Sequence, residues 1–358
     1  MVNFTILASG YAVPGFIASY LFNTEAATLT LLNQSPTGDN PSWISPHPTN
    51  SSILYSVNEN AQGGLQSFTI GNQGVLSAPV ETIQSEGDSP AFTVPLSTGQ
   101  VAIMNYGSGN GLIVPTEGDP LHFGTPDLIT FPLQASGISH PHMAFQHGEG
   151  VLVPDLGGDM IWRLAQNGST GSWRIQGQIP QPQGSGPRHI ALFDNFLYTL
   201  HETASTLTVQ PLPAAPNGTS TIVTQVSTVP SNDLNLTNAT WAAAEILLPA
   251  LNQRFQKAFV YTSNRNTGST VDPHGDTIAI WSIEPEGKVT LVRQVYTGLQ
   301  QVRGMMIGGD DDEFIVAGGV VGTGGVLVLK RTEGGSNLEE VVRNTDIPNR
   351  TSFVWGKW

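Results

Sequence analysis

The chain has 358 residues, a net charge of −14 and a charged fraction of only 12%, against ~25% in ordinary soluble domains. A chain this acidic repels polyphosphate, which argues against nucleic acid as a partner, and no apolar run reaches the ~18 residues of a membrane-spanning helix. Cysteine is absent, which excludes disulfides, zinc thiolate sites, iron–sulfur clusters and a cysteine nucleophile.

In chain order, the first recurring element is a β-rich run that ends in polar residues and glycine. Such runs return about every 50 residues, a period typical of repeat architectures. The seven copies read TILASGY (5–11), LYSVNE (54–59), VAIMNY (101–106), VLVPDL (151–156), LYTLHE (197–202), VYTSNR (260–265) and FIVAGG (314–319).

A shorter pattern accompanies each copy, in which a turn or small residue and a polar residue lead into an apolar strand. It reads PSW (41–43), SPA (89–91), PHM (141–143), PRH (187–189), AEI (244–246), VRG (302–304) and TSF (351–353). A third strand follows each central copy, at 16–22, 65–70, 111–115, 160–164, 206–209, 277–283 and 326–330. The alternation in TIAIWSI (277–283) is that of a half-buried strand, and a weaker fourth strand follows several copies, as at 289–295.

Four strands per unit, repeated seven times, predict an all-β fold: a seven-bladed β-propeller that takes in residues 1–358 as a single domain. The chain begins in the second strand of a unit, and 352–358 is a first strand without successors. We therefore expect the C-terminal strand to pair beside the N-terminal one, which closes the ring and removes two open sheet edges. Only 232–245 suggests a short helical turn, and 214–238 is the longest predicted loop.

Aligned units place certain polar residues at equivalent heights around the predicted channel. The first-strand position carries Ser42, His142, Arg188, Glu245, Arg303 and Ser352, and the end of the second strand carries Tyr11, Glu59, Tyr106, Glu202 and Arg265. With only 14 basic residues in the chain, three arginines in this set indicate two rings of functional groups at one mouth of the channel. Concave channel mouths are common ligand sites, although buried arginine–glutamate pairs also occur as purely structural contacts.

Other polar residues favour structural interpretations. Strand alternation turns His140, His189 and His201 to the face opposite the ring positions, so we expect them to be structural histidines. Asp155 and Asp159 in DLGGD are expected to cap a strand connection, and the acidic run 310–313 to form a hairpin tip in solvent. Glycine-rich stretches at 107–110 and 318–325 precede no helix, so they do not form the usual phosphate cradle.

Several motifs together resemble the propeller lactonase family, which includes 6-phosphogluconolactonases and fungal carboxy-cis,cis-muconate cyclases. They are LYSVNE (54–59), SHPHM (139–143), VPDLGGD (153–159), GPRHI (186–190), LYTLHE (197–202), YTSNR (261–265) and VRG (302–304). The resemblance implies a seven-bladed propeller. It also implies that the histidine, two arginines and glutamate of the cyclase branch correspond here to His142, Arg188, Arg265 and Glu202. We expect Glu59, Tyr11, Tyr106, Glu245 and Arg303 to bind substrate around them.

The expected function is therefore that of a lactone-handling enzyme, a monomer that acts on a small lactone or carboxylate without metal or cofactor. No Gly-x-Ser-x-Gly elbow is present, so general acid–base catalysis is favoured over acyl transfer. Glu202 or His142 would serve as the base, and Arg188 and Arg265 would stabilise the oxyanion. The alternatives are a cyclase or isomerase acting on an unsaturated acid or secondary metabolite, and a non-catalytic extracellular binding propeller.

Acceptor sequences for N-glycosylation bear on location. Asn-x-Ser/Thr occurs at Asn3, Asn33, Asn50, Asn167, Asn217, Asn235, Asn238 and Asn349, and such sequons belong on the surface loops of secreted proteins. We therefore expect a secreted glycoprotein, with a cytoplasmic protein as the alternative. No signal peptide is visible, so we expect any leader to have been removed or never to have existed.

Overall fold

The computed structural model describes residues 2–133, 137–168, 171–231, 236 and 238–358. In these ranges the chain forms 28 β-strands, arranged as seven four-stranded antiparallel sheets. The sheets are the blades of a ring, so the predicted seven-bladed propeller is confirmed. The same ranges contain no α-helix, only short 3₁₀ turns at Asn72–Gly74, Pro285–Gly287, Asp310–Asp312 and Glu333–Gly335.

The two ends of the chain share blade 1. It consists of β1 (Asn3–Ser9), β2 (Phe16–Asn23), β3 (Thr28–Pro36) and β28 (Ser352–Gly356). Strand β28 lies antiparallel beside β1, with Leu7 opposite Val354. The ring is therefore closed as the orphan C-terminal strand predicts.

Each of the other six blades uses four consecutive strands. Blades 2 to 4 consist of β4 (Ile44–Pro46), β5 (Ile53–Asn58), β6 (Gly64–Thr69), β7 (Glu81–Gln84); β8 (Pro90–Pro95), β9 (Gln100–Asn105), β10 (Asn110–Pro115), β11 (Asp127–Thr130); and β12 (Phe145–His147), β13 (Gly150–Asp155), β14 (Met160–Gln166), β15 (Trp173–Pro180). Blades 5 to 7 consist of β16 (Pro187–Phe193), β17 (Phe196–His201), β18 (Thr206–Pro211), β19 (Thr224–Ser227); β20 (Trp241–Leu247), β21 (Phe259–Asn266), β22 (Thr277–Ile283), β23 (Val289–Tyr296); and β24 (Gln300–Gly308), β25 (Phe314–Val321), β26 (Val326–Thr332), β27 (Asn337–Asn344).

The hydrophobic core lies between neighbouring blades. Strand β5 is buried along its whole length, and its successive residues face opposite sides of the sheet. Leu54 packs into a cluster with Leu7 of blade 1, whereas Tyr55 packs into another with Ile103 of blade 3. Because both faces are covered, the second strands read as nearly continuous apolar runs instead of strict alternations.

Irregular pairing marks the start of several first strands. An extra residue interrupts the register between Pro90 and Phe92, between Pro187 and His189, between Ala243 and Ile246, and between Val302 and Gly304. Such bulges bend a strand and re-aim side chains. At Gly304 a Cβ atom would lie 2.0 Å from the Thr351 carbonyl oxygen, so only glycine allows β24 to approach the neighbouring blade this closely.

Two expectations about residues 214–245 need correction. Residues 241–245, expected within a helical turn, belong to β20 and pair with β21, because sheet pairing overrides the local helix propensity of an alanine-rich stretch. The predicted loop 214–238 contains the short strand β19, while 232–235 and 237 lie outside the described residues. None of the helical segments described is long and apolar enough to cross a membrane.

Candidate active site

A pocket of about 180 Å³ opens at the end of the ring where first strands begin and second strands end, here called the channel mouth. All four predicted catalytic residues and four of the five predicted binding residues line it. Its walls are Tyr11, Glu59, Ala91, Tyr106, His142, Arg188, Glu202, Arg265 and Arg303. Ala91 is the one small side chain among these lining residues.

Two arginines share one carboxylate on one side of the pocket. Glu202 Oε2 lies 2.8 Å from Arg188 Nε and 2.7 Å from Arg265 Nη2. Burial works to raise the pKa of Glu202, but Arg265 and Arg188 outweigh burial, and the pKa is lowered. Burial and the neighbouring Arg265 charge lower the pKa of Arg188 to about 10. Glu202 and Arg188 are therefore both charged at neutral pH.

Backbone contacts hold these guanidinium groups in place. Arg188 Nη1 donates to the carbonyl of Ala244, and Arg265 Nε and Nη2 each lie 3.3 Å from backbone carbonyls of β20. Arg188 is the extra residue of the bulge in β16. Just before it, Gly186 has φ +65°, and a Cβ there would lie 2.4 Å from Thr203 Oγ1. The glycine in the sequence GPRHI thus permits the turn that aims Arg188 at the pocket.

A second polar cluster occupies the other side of the pocket. Tyr11 donates from its hydroxyl to both Glu59 carboxylate oxygens at 2.9 Å and accepts from Arg303 Nη1 at 2.5 Å. The Arg303 guanidinium lies over the Tyr11 ring, with Cζ 5.0 Å from its centroid. Burial raises the pKa of Tyr11 well above its usual value, opposed by Arg303 and assisted by Glu59. The Tyr11 hydroxyl therefore stays protonated at neutral pH.

His142 lines the pocket between the two clusters and is 4% exposed. Burial, followed by the charge of Arg188, lowers its pKa well below the ordinary value of 6.5, so the imidazole is neutral at pH 7. Its Nδ1 lies 3.1 Å from His189 Nε2, and Tyr106 meets its ring edge-on at 5.8 Å. Within the described part of the chain Nε2 has no partner, which leaves that nitrogen to meet a ligand.

The structure places His189 and Glu245 away from the positions expected for them. His189 does not lie on the far strand face; it sits fully buried against His142. Glu245 does not line the pocket but lies one layer deeper, with Oε1 2.6 Å from His189 Nδ1. The bulges in β16 and β20 are the physical reason, because an extra residue breaks the alternation on which both expectations rested.

Two aromatic rings pack against His189. The His189 ring lies 5.5 Å from Trp43 and 5.8 Å from Phe92, both edge-on. These two residues begin or precede first strands of blades 2 and 3 and pack on each other at 4.6 Å. His189 is therefore held in an apolar box, away from solvent.

The remaining polar residues behave structurally, as expected. His201 is fully buried between Thr206 and Gln181, and His140 stacks on Tyr106 at 4.5 Å. Asp155 accepts from Ser139, Trp162 and two backbone amides, and Asp159 accepts from the backbone of residues 184 and 186. The acidic run forms a 3₁₀ turn between β24 and β25. Across the described ranges, no group of three histidine, aspartate or glutamate side chains is placed to hold a metal ion.

A larger cavity, of about 1100 Å³, lies between blades 3 and 4. Its walls include the turns at Gly99 and Glu149, which join first to second strands and therefore lie at the end of the ring opposite the mouth. Arg163 in this cavity donates to the Pro213 carbonyl. Among its described lining residues no carboxylate is shared by two arginines, unlike Glu202 at the mouth, so the smaller pocket is the stronger candidate for chemistry.

Comparisons with known proteins agree with the propeller fold. The sequence model described as "Lactonase, 7-bladed beta-propeller" matches residues 5–355. A protein from Lactobacillus plantarum superposes with a TM-score of 0.84 at 21% identity, covering 99% of this chain and 100% of that one. A candidate 6-phosphogluconolactonase of Bacteroides fragilis gives 0.80 at 20% identity (99% and 98% covered). The periplasmic gluconolactonase of Pseudomonas aeruginosa gives 0.82 at 17% identity (99% and 99%). No curated protein matches the chain.

Proposed function

The chain belongs to the lactonase family of seven-bladed β-propellers, and we propose that it hydrolyses a small lactone in the channel-mouth pocket with His142 as general base. One observation carries the choice of base. Glu202 is clamped by two guanidinium groups, which lowers its pKa, whereas His142 is neutral and keeps one ring nitrogen for the pocket. Because two guanidinium groups engage Glu202 Oε2, we assign that carboxylate to positioning Arg188 and Arg265, and we assign proton transfer to His142, whose Nε2 faces no protein partner among the described residues.

The reaction follows from these positions. A water molecule gives a proton to His142 Nε2 as its oxygen attacks the lactone carbonyl carbon. Arg188 and Arg265 donate hydrogen bonds to the oxyanion that forms, a preorganised stabilisation worth several kcal/mol. As the intermediate collapses, the ring carbon–oxygen bond breaks and His142 returns its proton to the departing ring oxygen. The product is a hydroxy acid that ionises at neutral pH.

The pocket also constrains the substrate. Its volume of about 180 Å³ lies below the ≈300–1,000 Å³ of sites for drug-sized ligands, which favours a single sugar-type or aliphatic lactone ring. No lysine is among the lining residues, and the cationic groups are three arginines. Gluconolactones, the substrates in the names of two structural relatives, are therefore the first compounds to assay, with and without a 6-phosphate.

A lactone panel followed by pH-stat tests this function. We expect the wild type to release acid from at least one five- or six-membered aldonolactone, and His142→Asn to lose roughly 10²–10⁴ in rate. His122→Asn, which changes an exposed histidine outside the pocket, is the control and should behave as wild type. No turnover above the spontaneous rate for any lactone would overturn the proposal. Acid uptake from unsaturated diacids instead would indicate the lactonising direction.

We further propose that the protein is exported and glycosylated. Five described sequon asparagines are exposed, namely Asn3, Asn50, Asn167, Asn217 and Asn238, while Asn33 and Asn349 are half-buried and Asn235 lies outside the described residues. Exposed acceptors on turns and strand ends are accessible to the transferase. Endoglycosidase treatment of native material should increase its gel mobility. Unchanged mobility, with unmodified peptides by mass spectrometry, would contradict export through a glycosylating pathway.

A further inference from the structure

Three buried side chains from consecutive blades form an unbroken hydrogen-bonded chain beneath the pocket. Glu245 Oε1 lies 2.6 Å from His189 Nδ1, and His189 Nε2 lies 3.1 Å from His142 Nδ1. The exposed fractions are 4%, 0% and 4%, in that order. The chain ends at His142, the member that lines the pocket.

The direction of these hydrogen bonds follows from Glu245. Its Oε1 already accepts from the Ile246 amide at 3.1 Å, and an ionised carboxylate can only accept. His189 Nδ1 therefore donates its proton to Glu245, and a neutral His189 offers a lone pair at Nε2. His142 Nδ1 must then donate to that lone pair, which leaves His142 Nε2 without a proton.

We propose that Glu245 and His189 are positioning residues that hold His142 in its basic tautomer and share its charge once it has taken a proton. The role in turnover rests on the proposed function, whereas the tautomer assignment does not. When Nε2 of His142 accepts a proton, the Nδ1 proton moves toward His189, and the positive charge is drawn toward the Glu245 carboxylate. No atom other than a proton changes place.

We call the chain Glu245–His189–His142 the relay, and two features distinguish it from ordinary core packing. The apolar box of Trp43 and Phe92 around His189 shields it from water, which could otherwise exchange partners with the ring. Glu245 Oε2 is buried and without a partner among the described residues, a cost in stability that a purely structural carboxylate would avoid. The negative charge of Glu245 instead acts on the site, since it favours the charged forms of Arg188 and Arg303.

The pH dependence of the relay depends on every charged or titratable group that faces it. Burial lowers the pKa of both His142 and His189, and Glu245 opposes this at His189. The groups that act on the two rings are Arg188, Arg265, Arg303, Glu245 and the neighbouring Tyr106. Because the base works unprotonated, the acid limb of kcat/KM should fall well below pH 6.5.

The first test needs no substrate. In ¹⁵N-histidine-labelled protein at pH 7.5, with signals assigned through His142→Asn, we expect His142 to carry its proton on Nδ1 and His189 on Nδ1. Glu245→Met removes the acceptor and should mix or reverse both tautomers. A wild-type His142 protonated at Nε2 would overturn the proposal. Because this readout is independent of turnover, it stands even if no lactone is hydrolysed.

The second test uses the lactone that the panel identifies. Glu245→Met should lower kcat by about 10²–10⁴ with KM unchanged. Glu245→Gln retains the acceptor oxygen but not the charge, so the loss should be smaller and the acid limb should move to lower pH. The Glu245→Gln variant also keeps the test decisive if the Glu245→Met variant does not fold. Glu81→Gln, which alters another glutamate–histidine pair (3.4 Å from His122) on an outer strand, is the matched control. Wild-type kcat and an unmoved acid limb in the Glu245 variants would refute the relay.

Discussion

Arg188 and Arg331 are equally buried, at 1% and 2% exposure, but their surroundings differ. The Arg331 guanidinium packs 3.7 Å above the Phe255 ring, donates to the Tyr261 hydroxyl at 2.9 Å and to the Asp312 carbonyl at 2.8 Å. Arg188 instead pairs with a carboxylate at the wall of a pocket. A buried arginine is thus no sign of function in itself; what marks Arg188 is its convergence with other ionisable groups on an open space.

The same substitution at Arg188 and at Arg331 tests whether the first serves catalysis and the second serves stability. Arg188→Met should lower kcat/KM by about 10²–10³, because one donor to the oxyanion is lost. The melting profile should change less than the rate, since Arg265 continues to neutralise Glu202. If Arg188→Met instead unfolds the protein and retains the specific activity of its folded fraction, the cluster is structural.

Arg331→Met should show the opposite pattern. Loss of two hydrogen bonds and the ring contacts should cost about 1–3 kcal/mol of unfolding free energy, while kcat/KM per folded molecule stays at the wild-type value. Thermal melts and initial rates on the same preparations measure both quantities. A large rate loss here would show that burial, and not position at the mouth, governs activity.

Glu202→Gln gives a smaller effect that separates positioning from proton transfer. If Glu202 is a positioning residue, Glu202→Gln should lower kcat by roughly 10²-fold, because Arg188 and Arg265 lose the carboxylate that holds both of them. Two unneutralised guanidinium groups should also bind the hydroxy-acid product about tenfold more tightly, consistent with charge-assisted hydrogen bonds of about 1.5–3 kcal/mol. Product inhibition constants measure this, and weaker product binding would return Glu202 to the role of base.

The fold was predictable from the sequence because its information is local and repeated. Motifs such as LYTLHE (197–202) and VYTSNR (260–265) recur with one period, and the orphan strand 352–358 fixes how the ring closes. Within the helical turn expected across 232–245, residues 241–245 instead form part of a strand. There an alanine-rich segment has helix propensity, and only pairing with β21 makes it a strand.

The residues that line the pocket were predictable from the sequence, whereas the positions of His189 and Glu245 beneath them were not. Residues such as His142 and Arg265 follow from equivalent positions in aligned blades, and the structure places them at one pocket. The positions of His189 and Glu245 depend on single-residue bulges in β16 and β20. These bulges move side chains to the other face of the strand and leave no periodic pattern in the sequence. His189 was therefore misplaced on the far face, and Glu245 was assigned to the pocket wall.

The most direct test of the account is a crystal structure of the protein with the hydroxy-acid product of the active lactone, or with a non-hydrolysable cyclic ether analogue. We predict a ligand in the channel-mouth pocket, with the carboxylate of the product on Arg188 and Arg265. The hydroxyl oxygen that left the ring, or the ring oxygen of the ether analogue, should face His142 Nε2. A ligand seated in the larger cavity between blades 3 and 4, with the mouth unchanged, would contradict the assignment.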